Sequence, residues 1–194
     1  MEFYLYFLVR TESTYKLKIN LSKFLPLLIV TFFILIFAIN LNISKEDKKI
    51  DQLKSPLINQ NIPKKPIRLF QKNEIIELKN IYSNLYAINF FASWCLPCKI
   101  EAPSIKLLSK KIPVFGVAFK DREKNILDFL ESYGNPYDKI GIDKDGLLGI
   151  EWGVYGIPET FIINKKGQII YKYTGPLDIH ELEKNIYGLI KNER

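Results

Sequence analysis

The sequence predicts an α/β fold: a mixed central sheet flanked by helices, with one long apolar helix ahead of it. Three observations predict it. Apolar strand-like runs alternate with helical patterns from Leu85 to Ile142, two β-rich runs then flank Lys165-Lys166-Gly167, and 21 residues between Lys23 and Lys45 carry no charge. The 194 residues suit one core plus an appendage. A composition 47% hydrophobic and 25% charged argues against a disordered or fibrous chain.

The uncharged run from Phe24 to Ser44, as a helix rising ~1.5 Å per residue, covers about 30 Å, the hydrocarbon thickness of a bilayer. It therefore reads as one transmembrane helix at 24–44. A buried core helix would keep a polar stripe. A cleaved signal peptide would end in an A-x-A pattern, which Ala38-Ile39-Asn40 does not fit. Basic residues flank the run on both sides (Arg10, Lys16, Lys18 and Lys23 before it, Lys45, Lys48, Lys49 and Lys54 after), so charge bias chooses no orientation. The chain then divides into an N-terminal segment 1–23, the anchor 24–44, a polar and unpatterned linker 45–60, and a folded domain 61–194.

Within that domain Ile75-Ile76-Glu77-Leu78 reads as a short strand and Leu85 to Phe91 as a buried one. Cys98 to Lys110 spaces Ile100, Ile105, Leu107 and Leu108 among charges, as a helix does, and Pro113 to Phe119 returns as an apolar strand. These form a β-α-β unit. A second crossover follows: Asp121 to Tyr133 places Ile126, Phe129 and Leu130 on one helical face, and Lys139 to Ile142 is a short strand. Thr160 to Asn164 and Gln168 to Tyr173 read as a hairpin with Gly167 at its turn. A last helix begins at Asp178, its expected N-cap, and runs through Leu182, Ile186, Leu189 and Ile190.

Composition also bounds the chemistry. The formal net charge of +7 is spread among acids and forms no long basic run, which argues against a nucleic-acid partner. Two cysteines and one histidine cannot close a four-ligand zinc site, and no metal or other cofactor is expected. Cysteines three positions apart cannot staple distant segments either.

The chemistry-bearing motif is Trp94-Cys95-Leu96-Pro97-Cys98-Lys99, between a predicted buried strand and a predicted helix. Unpaired N–H groups and the macrodipole at a helix N-terminus favour an anion, which lowers the first thiol from ~8.5 toward ~7 or below. Cys95 is therefore the expected nucleophile and Cys98, a turn further in, the buried resolving thiol. Half a metal site and an inert pair of small core residues are weaker readings of the same spacing. Pro103 should kink the helix. Glu101, three residues after Cys98, shares its helical side and is a candidate proton carrier; a solvated carboxylate is the plainer alternative. The element order is that of the thioredoxin fold with extra strands in front. In that fold the proline ahead of the hairpin is cis and lies beside the sulfurs, leaving backbone free to pair with an extended partner, and Pro158 occupies that place. Glu159 follows it, as a second proton holder, a selector of basic partners, or a turn carboxylate on the surface. Asn89 stands where ordinary thioredoxins carry a proton-accepting aspartate, which turns attention to Glu101 and Glu159. His180 reads as an exposed residue without a catalytic part.

From Ser55 onward the sequence resembles the DsbE/CcmG family of membrane-anchored thiol:disulfide interchange proteins of cytochrome c maturation. The resemblance rests on Ser55-Pro56-Leu57-Ile58, on Asn89 to Lys99 with Glu101, on Gly116-Val117, on Gly134-Asn135-Pro136-Tyr137, on Asp143-Lys144-Asp145-Gly146, and above all on Gly153-Val154-Tyr155-Gly156-Ile157-Pro158-Glu159-Thr160-Phe161. It departs at Pro63-Lys64-Lys65-Pro66-Ile67, where the family's Pro-x-Phe opening is blurred. It implies a reductant on the periplasmic face of the bacterial inner membrane, with residues before Lys23 in the cytoplasm. It further implies that a membrane carrier of the DsbD or CcdA kind supplies electrons, and that the oxidised partner is the C-x-x-C-H site of apocytochrome c or another maturation thiol protein. The rival readings are a ResA- or TlpA-type general reductant, a disulfide donor, and an apocytochrome-binding module whose thiols matter little.

Overall fold

The computed structural model describes residues 25–46, 55–72 and 74–193. The chain divides into two compact units, Met1–Asp51 and Gln52–Arg194. In the first, α1 (Leu25–Glu46) is a single helix, with Pro26 in its first turn, where a missing N–H breaks no bond. Its apolar side chains from Leu25 to Ile39 are exposed. Among the described residues no helix is long and apolar enough to cross a membrane. The helix expected at 24–44 is thus there from Leu25 onward, without a bilayer crossing being established by it. The expected segment 1–23, and residues 47–54 of the expected linker, lie outside the described residues.

The second unit is a seven-stranded mixed sheet with strand order β2-β1-β5-β4-β3-β6-β7. Its short first hairpin is β1 (Ile67–Leu69) and β2 (Ile75–Ile76), followed by β3 (Tyr86–Phe91). The crossovers run through α2 (Leu96–Ser109), β4 (Val114–Phe119), α3 (Glu123–Tyr133) and β5 (Lys139–Asp143), making β3, β4 and β5 parallel. After α4 (Leu147–Glu151) come β6 (Glu159–Ile163), antiparallel to β3, and β7 (Ile169–Thr174). The chain closes with α5 (Ile179–Glu181), a π turn at Leu182–Ile186, and α6 (Tyr187–Asn192).

Every residue of β3 is buried because both faces of the sheet are covered, as parallel crossovers require. On one face Ala87 and Phe91 pack with Ile105 and Leu108 of α2, Phe129 of α3 and Ile186 of the closing helix. On the other, Ile88 and Phe90 pack with Phe161, Leu148 and Trp152. Turn chemistry follows expectation. Gly167 takes φ 75° at the β6–β7 turn, and the Asp178 carboxylate caps α5 by accepting from the Glu181 N–H at 2.7 Å.

Two details differ from the sequence reading. Residues 55–60 are not a tether: Ser55 is buried, the Asn59 N–H donates to the Ile169 carbonyl at 2.8 Å, and Leu57 and Ile58 pack on the second face. Two apolar side chains in a polar stretch carry too little periodicity to be read, yet they pack on that face while the backbone of Asn59 and Gln60 pairs with Ile169 at the edge of β7. Helix α4 was not expected. It is held by the Asp143 carboxylate, which accepts from the N–H groups of Leu148 and Gly149 at 3.1 and 2.8 Å. Pro103 lies inside helix α2, where the sequence reading puts it.

Phe161 is wholly buried and meets Phe90 and Trp152 edge to face, at centroid distances of 5.7 and 5.1 Å. Truncating it to alanine leaves a cavity that these rings cannot close. We expect Phe161→Ala to lower the unfolding free energy by about 3–5 kcal/mol, read as a lower urea midpoint at unchanged slope.

Candidate active site at the tip of α2

Strand β3 ends in the core at Phe91, and the chain turns through Ala92-Ser93-Trp94 into α2. Cys95 is the N-cap of that helix, and Pro97 lies in its first turn, where its ring fits the helical φ. The Cys98 N–H points at the Cys95 sulfur at 3.1 Å, which is the orphan donor of a helix start directed at a reactive atom. Cys95 and Cys98 are joined as a disulfide. They retain 4% and 1% of their exposure, respectively, so Cys98 is the more enclosed, as the sequence reading expects.

The turn before Cys95 is clamped by the loop after β4. The Asp121 carboxylate accepts from the Ser93 N–H at 2.6 Å and the Ser93 hydroxyl at 3.0 Å. The Trp94 indole N–H reaches the Lys120 carbonyl at 3.3 Å. From the other side comes the loop before β6. The Ile157–Pro158 peptide bond is cis, and the Ile157 carbonyl oxygen stands 3.6 Å from the Cys95 sulfur, within reach of the S–H in the dithiol form. Trp94, Leu96 and Tyr155 are exposed around this point.

Glu101 and Glu159, both candidates for the missing aspartate's role, lie on opposite faces of the sheet. Asn89 pairs with Thr160 and Phe90 with Glu159 across β3 and β6, and successive strand residues point to opposite faces. Glu101 is not the solvated helix carboxylate of the plainer alternative. It is 2% exposed, with Oε1 accepting from the Asn89 amide at 2.9 Å and Oε2 from the Leu177 N–H at 2.9 Å. Burial pushes its carboxyl up from an ordinary 4.5 to about 7, against the two hydrogen bonds that favour the charged form. A group of that kind exchanges protons near neutrality.

Glu159 is not a surface turn carboxylate either. It is fully buried, and its Oε2 lies 2.9 Å from the ammonium of Lys172, itself buried. The same ammonium donates to the Gly153 carbonyl at 2.7 Å and sits 4.6 Å from the centroid of the Tyr155 ring. Glu159 Oε1 accepts from the Tyr155 N–H at 3.1 Å. A charge neutralised in this way holds the Gly153–Ile157 loop and is not displayed to a partner. His180 is exposed, as expected.

Three participants escaped the sequence reading. Asp121 looked like the start of a helix. Lys172 lay in a strand whose alternation gave the only hint of burial. Tyr137 sat in a motif to which no role was attached.

The sheet order, the bonded cysteine pair at a helix cap and the cis-proline beside it define a thioredoxin-like protein. The redoxin family model matches residues 69–190. Thiol:disulfide interchange protein DsbE of Yersinia pestis is 32% identical over 180 residues, covering 89% of this chain and 93% of that protein. Thiol:disulfide interchange protein CycY of Rhizobium leguminosarum is 47% identical over 98 residues, or 50% of this chain and 53% of that protein; at this similarity the chain spans about half its relative's length. A secreted Mycobacterium tuberculosis disulfide oxidoreductase shares the fold at a TM-score of 0.56 and 16% identity, covering 64% of this chain and 96% of that one. This chain belongs to the DsbE family of thiol:disulfide interchange proteins within the redoxins.

Two expectations follow. Between pH 4.5 and about 7 the unfolded chain has released the Glu101 proton that the folded chain keeps. Stability from this group is complete below that window and falls as pH rises through it, by as much as about 3 kcal/mol. Urea unfolding of Glu101→Gln at pH 4.5 and 7.5 should show that fall reduced. Lys172→Met strands the buried Glu159 charge and should cost about 3–5 kcal/mol, most of it recovered when Glu159→Gln is added.

Proposed function

We propose that this chain is a thiol:disulfide oxidoreductase that reduces partner disulfides through Cys95 and Cys98. The observation that carries this reading is the Cys95 sulfur at the cap of α2, facing the Cys98 N–H and the Ile157 carbonyl. In the dithiol form the Cys95 thiolate attacks one sulfur of the partner disulfide. This forms a mixed disulfide and releases the other partner sulfur as a thiolate. Cys98 then gives its proton to the Glu101 carboxylate and attacks the Cys95 sulfur. The second partner thiolate leaves, and the Cys95–Cys98 disulfide remains. Two electrons have passed to the partner, whose thiolates take up protons from solvent and Glu101. The cis-proline Pro158 leaves the backbone before it free to pair with an extended partner segment. Glu159 acts at one remove, by holding the Tyr155 loop through Lys172.

The uncharged run at 24–44 is what supports an inner-membrane anchor. The folded domain then stands in the periplasm, where thiols are oxidised and haem attachment to a C-x-x-C-H site needs them reduced. In this reading the partner is apocytochrome c or a maturation thiol protein, and a carrier of the DsbD or CcdA kind restores the dithiol. Partner and carrier are those that the resemblance to the DsbE/CcmG family implies.

Trapping tests the reading. Cys98→Ser in the full chain should accumulate a mixed disulfide through Cys95 with a C-x-x-C-H protein, and Cys95→Ser should not. Cytochrome c assembly retained in a Cys95→Ser strain would overturn it in favour of a binding module. A strongly oxidising potential in a redox titration would overturn the direction and make the chain a disulfide donor.

A further inference from the structure

We propose that Tyr137 is a positioning residue for the thiol site: its hydroxyl orients the Asn89 side chain so that the amide N–H, and not the amide oxygen, faces the Glu101 carboxylate. This deepens the reading of Glu101 as proton carrier and rests on it for its functional meaning, though not for its geometry.

The Tyr137 hydroxyl lies 2.8 Å from Asn89 Oδ1. The other end of that amide donates to Glu101 Oε1 at 2.9 Å and to the Thr160 hydroxyl at 3.1 Å. An amide can sit in either of two orientations related by a flip, and neighbours decide between them. Flipped, Asn89 would aim its oxygen at the Glu101 carboxylate. It would also turn its N–H toward Tyr137, leaving a buried phenol O–H without this acceptor. Asn89 is fully buried, so the lost bond is not replaced by bulk solvent. Tyr137 thus makes Asn89 a donor to the carboxylate, which favours its charged form.

Two sequence motifs left without a role supply the means. In Gly134-Asn135-Pro136-Tyr137 the Asn135 side-chain oxygen accepts from the Tyr137 N–H at 3.0 Å, forming a turn around Pro136 that swings the ring back over the sheet. In β4, Gly116 is the register neighbour of Asn89. A Cβ at Gly116 would stand 2.9 Å from the Tyr137 ring and 3.0 Å from that of Phe91. The missing side chain is the space through which the phenol reaches Asn89. The ring lies stacked on Phe91, with centroids 4.6 Å apart and planes at 22°.

The titratable groups that bear on Glu101 are Tyr137 from the loop before β5 and Tyr173 from β7, with Asp178 and Glu181 beyond Tyr173; Cys95 and Cys98 are joined as a disulfide and carry no titrating proton in the oxidised chain. Tyr137 and Tyr173 are both held neutral by burial, so Tyr137 acts on Glu101 through Asn89 and not by its own charge.

The test is infrared titration of the Glu101 carboxyl band in the oxidised full chain, the band being the one that Glu101→Gln removes. Tyr137→Phe keeps the stacked ring and deletes the hydroxyl. The Glu101 midpoint should rise by about one pH unit, a tenfold change in proton affinity. Gly116→Ala, which displaces the ring without altering its hydroxyl, should move the midpoint the same way and serves if the first variant does not fold. In an Asn89→Ala background, Tyr137→Phe should add no further shift. A midpoint unmoved or lowered in the folded variants overturns the proposal, as does an equal shift without Asn89. The pH profile of thiol exchange separates the two layers: a moved midpoint with an unmoved profile upholds the positioning by Tyr137 and overturns Glu101 as proton carrier.

Discussion

A single backbone N–H at the first turn of α2, aimed at the Cys95 sulfur, is the interaction on which the chemistry of the site depends. It comes from Cys98 itself, so in the proposed reaction the residue that resolves the mixed disulfide also stabilises the nucleophile. The donor is useful only while the helix start stays in place. Asp121 clamps the incoming turn at Ser93, and the outgoing helix is buried through Ile105 and Leu108. The tip is fixed from both sides, and the exposed Trp94 and Leu96 can meet a partner without the sulfurs shifting.

Behind the tip, the two faces of the sheet have separate polar tasks. The face under α2 carries the connected set Tyr137, Asn89, Glu101 and the Leu177 N–H, in which each polar atom named has a partner. Such a set in a dry interior holds a carboxyl near neutrality, because burial and hydrogen bonding oppose each other. The opposite face carries the Glu159–Lys172 pair, whose task is mechanical: it ties the Gly153–Ile157 loop to β7. Two carboxylates of similar sequence appeal therefore do different work, and a sheet keeps them apart.

Much of this is legible in the amino-acid sequence. The buried strand, the C-x-x-C at a helix start, the hairpin turn at Gly167 and the Asp178 cap each rest on local chemistry within a few residues, and each appears as expected. Helix α4 and the packed segment 55–60 did not announce themselves. A five-residue helix gives no periodic signal, and Leu57 and Ile58 gain their meaning only from the apolar face they cover.

What the sequence by itself determined was the reactive element: cysteine spacing, helix polarity and the proline ahead of the hairpin are properties of adjacent residues. The tertiary structure alone decided which carboxylate is dry, which is paired, and which distant side chains reach them. Glu101 meets Leu177, Asn89 meets Tyr137 and Glu159 meets Lys172 across gaps of 76, 48 and 13 residues. Burial and pairing across such gaps arise from the crossing of strands and helices, and no window along the chain contains them.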